Sequence, residues 1–399
     1  TSNPSELDFS QLFDVQEAIR QAGHILSLPP PSETDEDTAP LTADELTEWY
    51  ASRVDEIIRT TGMVDVALAL VQHGASQGIP ALDQLGEELS LLSKLVYDAP
   101  QDPAAPNDWT LDAWRSMSPQ DVVKAYLSHS TPESIASDIS KLVLPYLFVL
   151  ELRAERSGKP DPELQERMLH DYILSAPLDL AASIFEASKP TLPAAQRLVR
   201  NDVDVARLAL ACLYGSDSLT EWPTMSRIFE CMPAWDTDNN DTDEEAADTT
   251  LASLGAYVTP STTRPRCTPQ DLLLFFKPLT IQALSRALDI LDIHLESGEI
   301  LSRWDVPAPL RWFLQSAEDV KEQRSWANRM ARRAGGTVNP LNGLEDWDWL
   351  LEDMLKLTET SEAGLRGAFG LLSKDEVIAI FLSGLLSTGS TYHFGFLAN

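Results

Sequence analysis

The residues with the most chemistry to offer are six histidines, three cysteines and one dense run of carboxylates. Histidine and cysteine act as metal ligands, nucleophiles or acid–base groups when they converge, and convergence is read in sequence as fixed spacings such as HExxH or CxxC. His24, His73, His129, His170, His294 and His393 show no such spacing. Cys212, Cys231 and Cys267 are odd in number and far apart, so neither a zinc site nor a disulfide framework is indicated, and reduced thiols are expected. Cys212 continues the helical spacing of Val205, Leu208 and Ala209 and is expected to be a buried core thiol. His294, among Leu291, Ile293 and Leu295, is expected to be a packed or capping residue.

The carboxylate run is Asp236 to Asp248, which holds seven acidic residues. It opens Asp236-x-Asp238-x-Asn240, like the first half of a calcium loop. Position six is then Asp241, where the sharp turn needs Gly, and position twelve is Ala247, where a bidentate Glu is needed. A solvated loop fits better. Ser157-Gly158-Lys159 lacks the upstream glycine and the strand of a phosphate-binding loop, and neither GxSxG nor GxGxxG occurs. The sequence therefore assigns no catalytic, cofactor-binding or metal-binding residue, and no cofactor is expected.

Two features carry candidate partner contacts instead. Lys321, Arg324, Arg329, Arg332 and Arg333 concentrate positive charge on one predicted helix of a strongly acidic chain. A solvated face, partly paired with Glu318, Asp319 and Glu322, competes with a contact to an acidic partner or a lipid headgroup. Trp235 stands at the root of the acidic run, after a helix-like stretch from Thr224 to Met232 that Pro233 ends. Its indole offers apolar area, and the neighbouring carboxylates would steer it toward a basic groove. Trp222 and Trp304 stand at predicted helix ends, where aromatics either pack or anchor interfaces.

The elements that must hold these residues read as helices throughout. Val64, Ala67, Leu68 and Val71 fall on one helical face, as do Leu85, Leu89, Leu92 and Val96. Ile281, Leu284, Leu288, Leu291 and Leu295 repeat the pattern, and so do Trp347, Leu350, Leu351, Met354 and Leu355. Ser118-Pro119, Thr131-Pro132, Asp161-Pro162 and Thr268-Pro269 each place a capping side chain before a proline suited to the first helical position. No sustained alternation of period two accompanies them. The expected fold class is all-α, an irregular α-solenoid of antiparallel helix pairs.

Acidic and basic residues number 62 and 30, a formal charge of 30 − 62 = −32. That balance argues against a nucleic-acid partner, because backbone binding needs a basic surface. The longest apolar stretch, Leu142 to Leu150, is nine residues and contains Pro145, against the ~20 a bilayer crossing needs. No apolar leader is read at the first residues. Pro29 to Pro40, Pro100 to Asp108 and Asp236 to Asp248 have the composition of solvated linkers.

The segment from Glu48-Trp49-Tyr50 to Asp98 carries a resemblance. Its Trp-Tyr opening, the Gly62-x-Val64-Asp65-x-Ala67-Leu68 helix, the Gly78-Ile79-Pro80-x-Leu82 turn and the closing Leu95-Val96-Tyr97 resemble the Sec-thirty-nine domain family of secretory-pathway proteins. His170-Asp171-Tyr172-Ile173-Leu174, Leu208 to Gly215, Arg303-Trp304-Asp305 and Trp326 to Ala331 are similar to fungal-type members. The expected organisation is an N-terminal helix with an acidic Pro-rich linker over 1–44, the family-like α-solenoid over 45–389 with its acidic loop at 236–248, and an atypical tail over 390–399.

The resemblance implies a non-enzymatic scaffold subunit of a Dsl-type vesicle-tethering complex, peripheral on the cytosolic face of the endoplasmic reticulum. It implies Golgi-to-ER retrograde transport and support of SNARE assembly. The implied partners are other tether-complex subunits and ER SNAREs, with coatomer as a further one, and membrane association is indirect. A helical adaptor or a coat or pore scaffold with other partners shares the same periodicity, and a helical hydrolase or lyase is a more remote reading.

Overall fold

The computed structural model describes residues 42–79, 81–101, 109–235, 253–262, 266–333, 344–361 and 364–387. The expectations for the N-terminal helix and the acidic Pro-rich linker before residue 42, for the segment 102–108, for the acidic loop 236–248 and for the tail 390–399 lie outside these residues. The described chain is all-α and solenoid-like in its succession of short helices. Its single β feature is an isolated antiparallel bridge between Thr360 and Arg366. The fold divides into two compact units, up to Gln165 and from Glu166.

The first unit begins with α1 (Ala43–Thr61), α2 (Val64–Ser76) and α3 (Leu82–Ser93), each packed on the next. Thr42 opens α1 with a reciprocal cap, its hydroxyl accepting from the Glu45 N–H while Glu45 accepts from the Thr42 N–H at 2.8 Å. α3 widens into a π turn (Lys94–Asp98), and there Leu95 is buried while Val96 is only half-buried. Next come α4 (Leu111–Ser116), α5 (Pro119–Tyr126), α6 (Ile135–Asp138), a second π turn (Ile139–Val143) and α7 (Leu144–Arg156). Pro145 accounts for that second turn. Proline lacks the N–H a helix needs, and its ring strikes the carbonyl four residues back, so the backbone widens just before it. Trp114, Tyr126 and Tyr146 meet edge to face at 5.9–6.1 Å in this core, and the Tyr126 hydroxyl donates to the Leu91 carbonyl at 2.8 Å.

The second unit holds α8 (Leu164–Ser175), which starts at the division, then α9 (Leu178–Glu186), α10 (Asp202–Gly215) and α11 (Trp222–Phe229). A helical segment over 253–258 follows, then α12 (Pro269–Phe276), α13 (Ile281–Arg303), α14 (Leu310–Ser316), α15 (Val320–Arg333), α16 (Leu344–Lys356) and α17 (Lys374–Ser387). Helix α10 is the axis of this unit and packs against α9, α11, α12, α13 and α14. Every residue from Leu208 to Gly215 is buried, so this half of α10 is apolar all round, as a helical stretch covered on every side must be. Contact there is broader than neighbour-to-neighbour stacking. Beyond these, α15 packs on α14 and α17, and α16 on α17.

Two of the four proline-led starts hold as helix starts. Ser118 caps α5 and Thr268 caps α12, with Pro119 and Pro269 just inside. Thr131-Pro132 and Asp161-Pro162 form turns instead, and their helices begin later, at Ile135 and Leu164. The Thr131 N–H is satisfied by the Ser134 hydroxyl at 3.1 Å, and the Asp161 carbonyl accepts from the Leu164 N–H at 3.2 Å. These local bonds compete with immediate helix entry.

Candidate partner-binding surface

The basic residues lie on α15. Its inner face buries Trp326, Ala327, Met330 and Ala331, and Gly384 of α17 lets the backbones approach, since a Cβ there would meet Ala331 at 2.9 Å. Gln323, also buried, ties three segments together. Its amide donates to the Ser316 carbonyl at 2.9 Å and accepts from the Leu371 N–H at 3.1 Å.

The acidic residues near the start of α15 are committed to other work than pairing with its arginines. Asp319 accepts from the Lys321 and Glu322 N–H groups at 2.9 and 3.1 Å, in the manner of a helix cap. Glu322 accepts from the indole N–H of Trp326 at 2.9 Å and of Trp312 at 3.3 Å, and the two rings stand 4.7 Å apart. Arg324 therefore pairs outside its own helix, with Glu376 of α17 at 2.5 Å. The Ser373 N–H and then Arg324 hold the Glu376 carboxyl below the usual carboxylate range.

Arg329 lies over the Trp326 ring at 4.9 Å, a cation–π contact of about 0.5–1 kcal/mol at an exposed site. Arg332 and Arg333 follow it by three and four residues and so share its side of the helix, whereas Arg324 lies roughly 140° away. Lys321, Arg332 and Arg333 are exposed and make no ion pair among the described residues. The structure thus groups Arg329, Arg332 and Arg333 on an outward face and turns Arg324 toward α17. Trp235 is half-buried next to the buried Pro233, and among the described residues no hydrogen bond or ring contact joins it to that face.

One surface aromatic was missed. Trp349 of α16 is 67% exposed, with Glu345, Asp348 and Glu352 exposed around it. The signal was available, because Trp349 falls off the Trp347, Leu350 and Met354 stripe that α16 buries. The other singled-out tryptophans pack. Trp222 is buried against Gly298, and the Trp304 indole donates to Asp353 at 2.7 Å.

Reactive groups are masked by burial. It pushes the Cys212 thiol up to about 12 and Cys231 to about 11. It pushes the His294 imidazole down to about 3, so the ring is neutral, with Nδ1 2.9 Å from the Tyr214 hydroxyl. Ser157-Gly158-Lys159 is the end of α7. Gly158 adopts φ +76° and the Lys159 N–H closes on the Ala154 carbonyl at 3.0 Å, which is a helix C-terminal cap. Among the described residues no group of three or more His, Cys, Asp or Glu side chains is placed to hold a metal ion, and no helix is long and apolar enough to cross a membrane.

The family model described as Secretory pathway protein Sec39 matches residues 2–395. The chain is 22% identical over 349 residues to the NBAS subunit of NRZ tethering complex of Homo sapiens, covering 87% of this chain and 12% of that relative. It is 21% identical over 366 residues to MAG2-interacting protein 2 of Arabidopsis thaliana, again covering 87% of this chain and 12% of the relative. The chain spans about an eighth of the length of these curated relatives. No solved structure matches it. The family match runs through both compact units and takes in every helix from α1 to α17, so the chain belongs to the secretory pathway protein Sec39 family.

Proposed function

We propose that the protein is a non-enzymatic scaffold in an endoplasmic-reticulum vesicle-tethering complex of Dsl type, acting in Golgi-to-ER retrograde transport and supporting SNARE assembly. The observation that carries this reading is the family match over 2–395, together with a relative whose name places it in a tethering complex. The helical frame supports it by holding exposed side chains in fixed positions, as Trp326 holds Arg329. The partners are other tether subunits and ER SNAREs. Arg329, Arg332 and Arg333 present cationic groups to an acidic partner surface, where charge complementarity speeds encounter and fixes register, while Arg324, expected with them, is engaged by Glu376 of α17 at the edge of that surface. Trp235 beside its acidic run is a contact for coatomer.

Attachment to the cytosolic face of the endoplasmic reticulum runs through these partners. A chain of charge −32 is repelled by anionic headgroups, and one basic helix does not reverse that. The test is native affinity purification from microsomes. Recovery with tether subunits and ER SNAREs is expected, and recovery with nuclear-pore or clathrin components instead would overturn the reading. Trp235→Ala should lower coatomer recovery without lowering thermal stability. Lost stability with unchanged recovery would make Trp235 a packing residue.

A further inference from the structure

In the second unit a cleft of about 500 Å³ opens between α13, the end of α14 and the turn at 364–368. That volume lies in the range of ligand-binding pockets. Arg286, Ile290, Ile293 and His294 line it from successive turns of α13, Phe313 lines it from α14, and Arg366 from the turn. Two guanidinium groups line the cleft from two elements, Arg286 of α13 beside Asp289 and Arg366 of the turn, in a chain that carries −32 overall. Arg366 is exposed and makes no ion pair among the described residues. Glu318 is the carboxylate among the lining residues.

His294 adds a directional group. It is 8% exposed, and its ring stacks on Phe313 at 5.3 Å with an interplanar angle of 22°. Tyr214 is buried, and its hydroxyl has no acceptor other than His294 Nδ1 among the described residues. A buried hydroxyl left without an acceptor is costly, so Tyr214 donates to Nδ1 and the imidazole proton sits on Nε2. Nε2 has no hydrogen-bond partner among the described residues, and His294 is one of the residues that line the cleft. The cleft therefore offers two cations, one neutral N–H donor and an apolar strip.

We propose that this cleft binds a short acidic peptide segment of a partner protein, with a carboxylate held by Arg286 and Arg366, a carbonyl oxygen on His294 Nε2, and an apolar side chain against Ile290 and Ile293. A peptide fits better than a phosphorylated lipid headgroup. The apolar strip gives a headgroup nothing to bind, and Glu318 with the net charge of the chain opposes a polyanion more than a single carboxylate. The inference goes beyond the tether reading and does not depend on it.

The test is fluorescence anisotropy on the full chain with two labelled octapeptide pools. One alternates Asp or Glu with Leu or Phe, and the other carries Lys or Arg in place of the acids. Saturable binding of the acidic pool is expected. Arg366→Glu, which changes an exposed turn, and Ile290→Trp, which fills the cleft, should each weaken it at least about tenfold, or 1.4 kcal/mol. Arg59→Glu on the exposed side of α1 changes net charge equally and should leave binding intact. Thermal melts report folding, and Arg366→Glu decides alone if Ile290→Trp does not fold. Equal binding of both pools, or acidic binding that survives Arg366→Glu, overturns the proposal. So does flotation with vesicles of phosphatidylcholine and phosphatidylinositol 4-phosphate that Arg366→Glu abolishes while the acidic peptides fail to bind, because that result assigns the cleft to a headgroup.

Discussion

The Tyr214 hydroxyl stands 2.9 Å from Nδ1 of His294, where α10 packs against α13. Burial without a counter-charge depresses the imidazole to about 3, whereas an unfolded histidine titrates near 6.5. Between those values the unfolded chain binds the proton and the folded chain does not, so stability rises with pH. The contribution is complete above about 6.5 and falls as pH drops toward 3, with a loss of about 2 kcal/mol at pH 5. His170, also depressed by burial, adds in the same direction. Urea denaturation at pH 7 and pH 5 should show that loss, and His294→Gln should shrink it. Equal stability of the native chain at both pH values would contradict the assignment.

Gly298 and Trp222 make a second relationship open to test. A Cβ on Gly298 would stand 2.1 Å from two carbons of the Trp222 ring, well inside van der Waals contact. The Trp222 indole donates to the Leu219 carbonyl at 3.0 Å, which fixes the ring in place. Gly298→Ala is expected to cost about 1–3 kcal/mol through overpacking, measured by chemical denaturation. Trp222→Leu should be destabilising alone yet relieve part of the Gly298→Ala cost in the double variant. Strict additivity of the two changes would show that the ring moves away freely.

The helical character of the chain was legible because each helix buries one stripe. Leu284, Leu288, Leu291 and Leu295 of α13 are all buried as their spacing requires, and Trp347, Leu350 and Met354 are buried on α16. The stripes fail at helix ends. Ile281, first residue of α13, is 46% exposed. The π turns and the central place of α10 were not read. A π turn depends on how a whole helix accommodates a local obstacle such as Pro145, and centrality depends on five other helices converging. Of the candidate surface, the charge on α15 was legible but its wiring was not. Asp319 and Glu322 sit at pairing distance in sequence, yet backbone amides and indoles claim them.

The three cysteines give a direct test of the core. Cys212, Cys231 and Cys267 are buried, with exposures of 6%, 0% and 4%. A thiol reacts as its thiolate, and burial holds Cys212 and Cys231 far above neutral pH. Ellman's reagent at pH 8 should find all three unreactive on the minutes timescale in the native chain and all three reactive in guanidinium chloride. Rapid native labelling of Cys212 would mean that α10 is not enclosed.

The arginines of α15 should separate into two classes by experiment. Arg329 leans on Trp326, so Arg329→Ala is expected to cost about 0.5–1 kcal/mol of stability. Arg324 joins Glu376 in an exposed pair, and Arg324→Ala should cost no more than about 1 kcal/mol. Arg332 and Arg333 have no ion-pair partner among the described residues, so replacing both with Glu should change stability by no more than about 0.5 kcal/mol. The same double change reverses the charge at the end of the outward face. If that face meets an acidic partner, recovery of the tether complex should fall, and the loss should be greatest at low salt, where surface charges are least screened. Undiminished recovery at low salt, with the double variant folded, would leave α15 as a solvated helix and remove it from the interface. A large loss of stability in the double variant would contradict the exposed placement of Arg332 and Arg333.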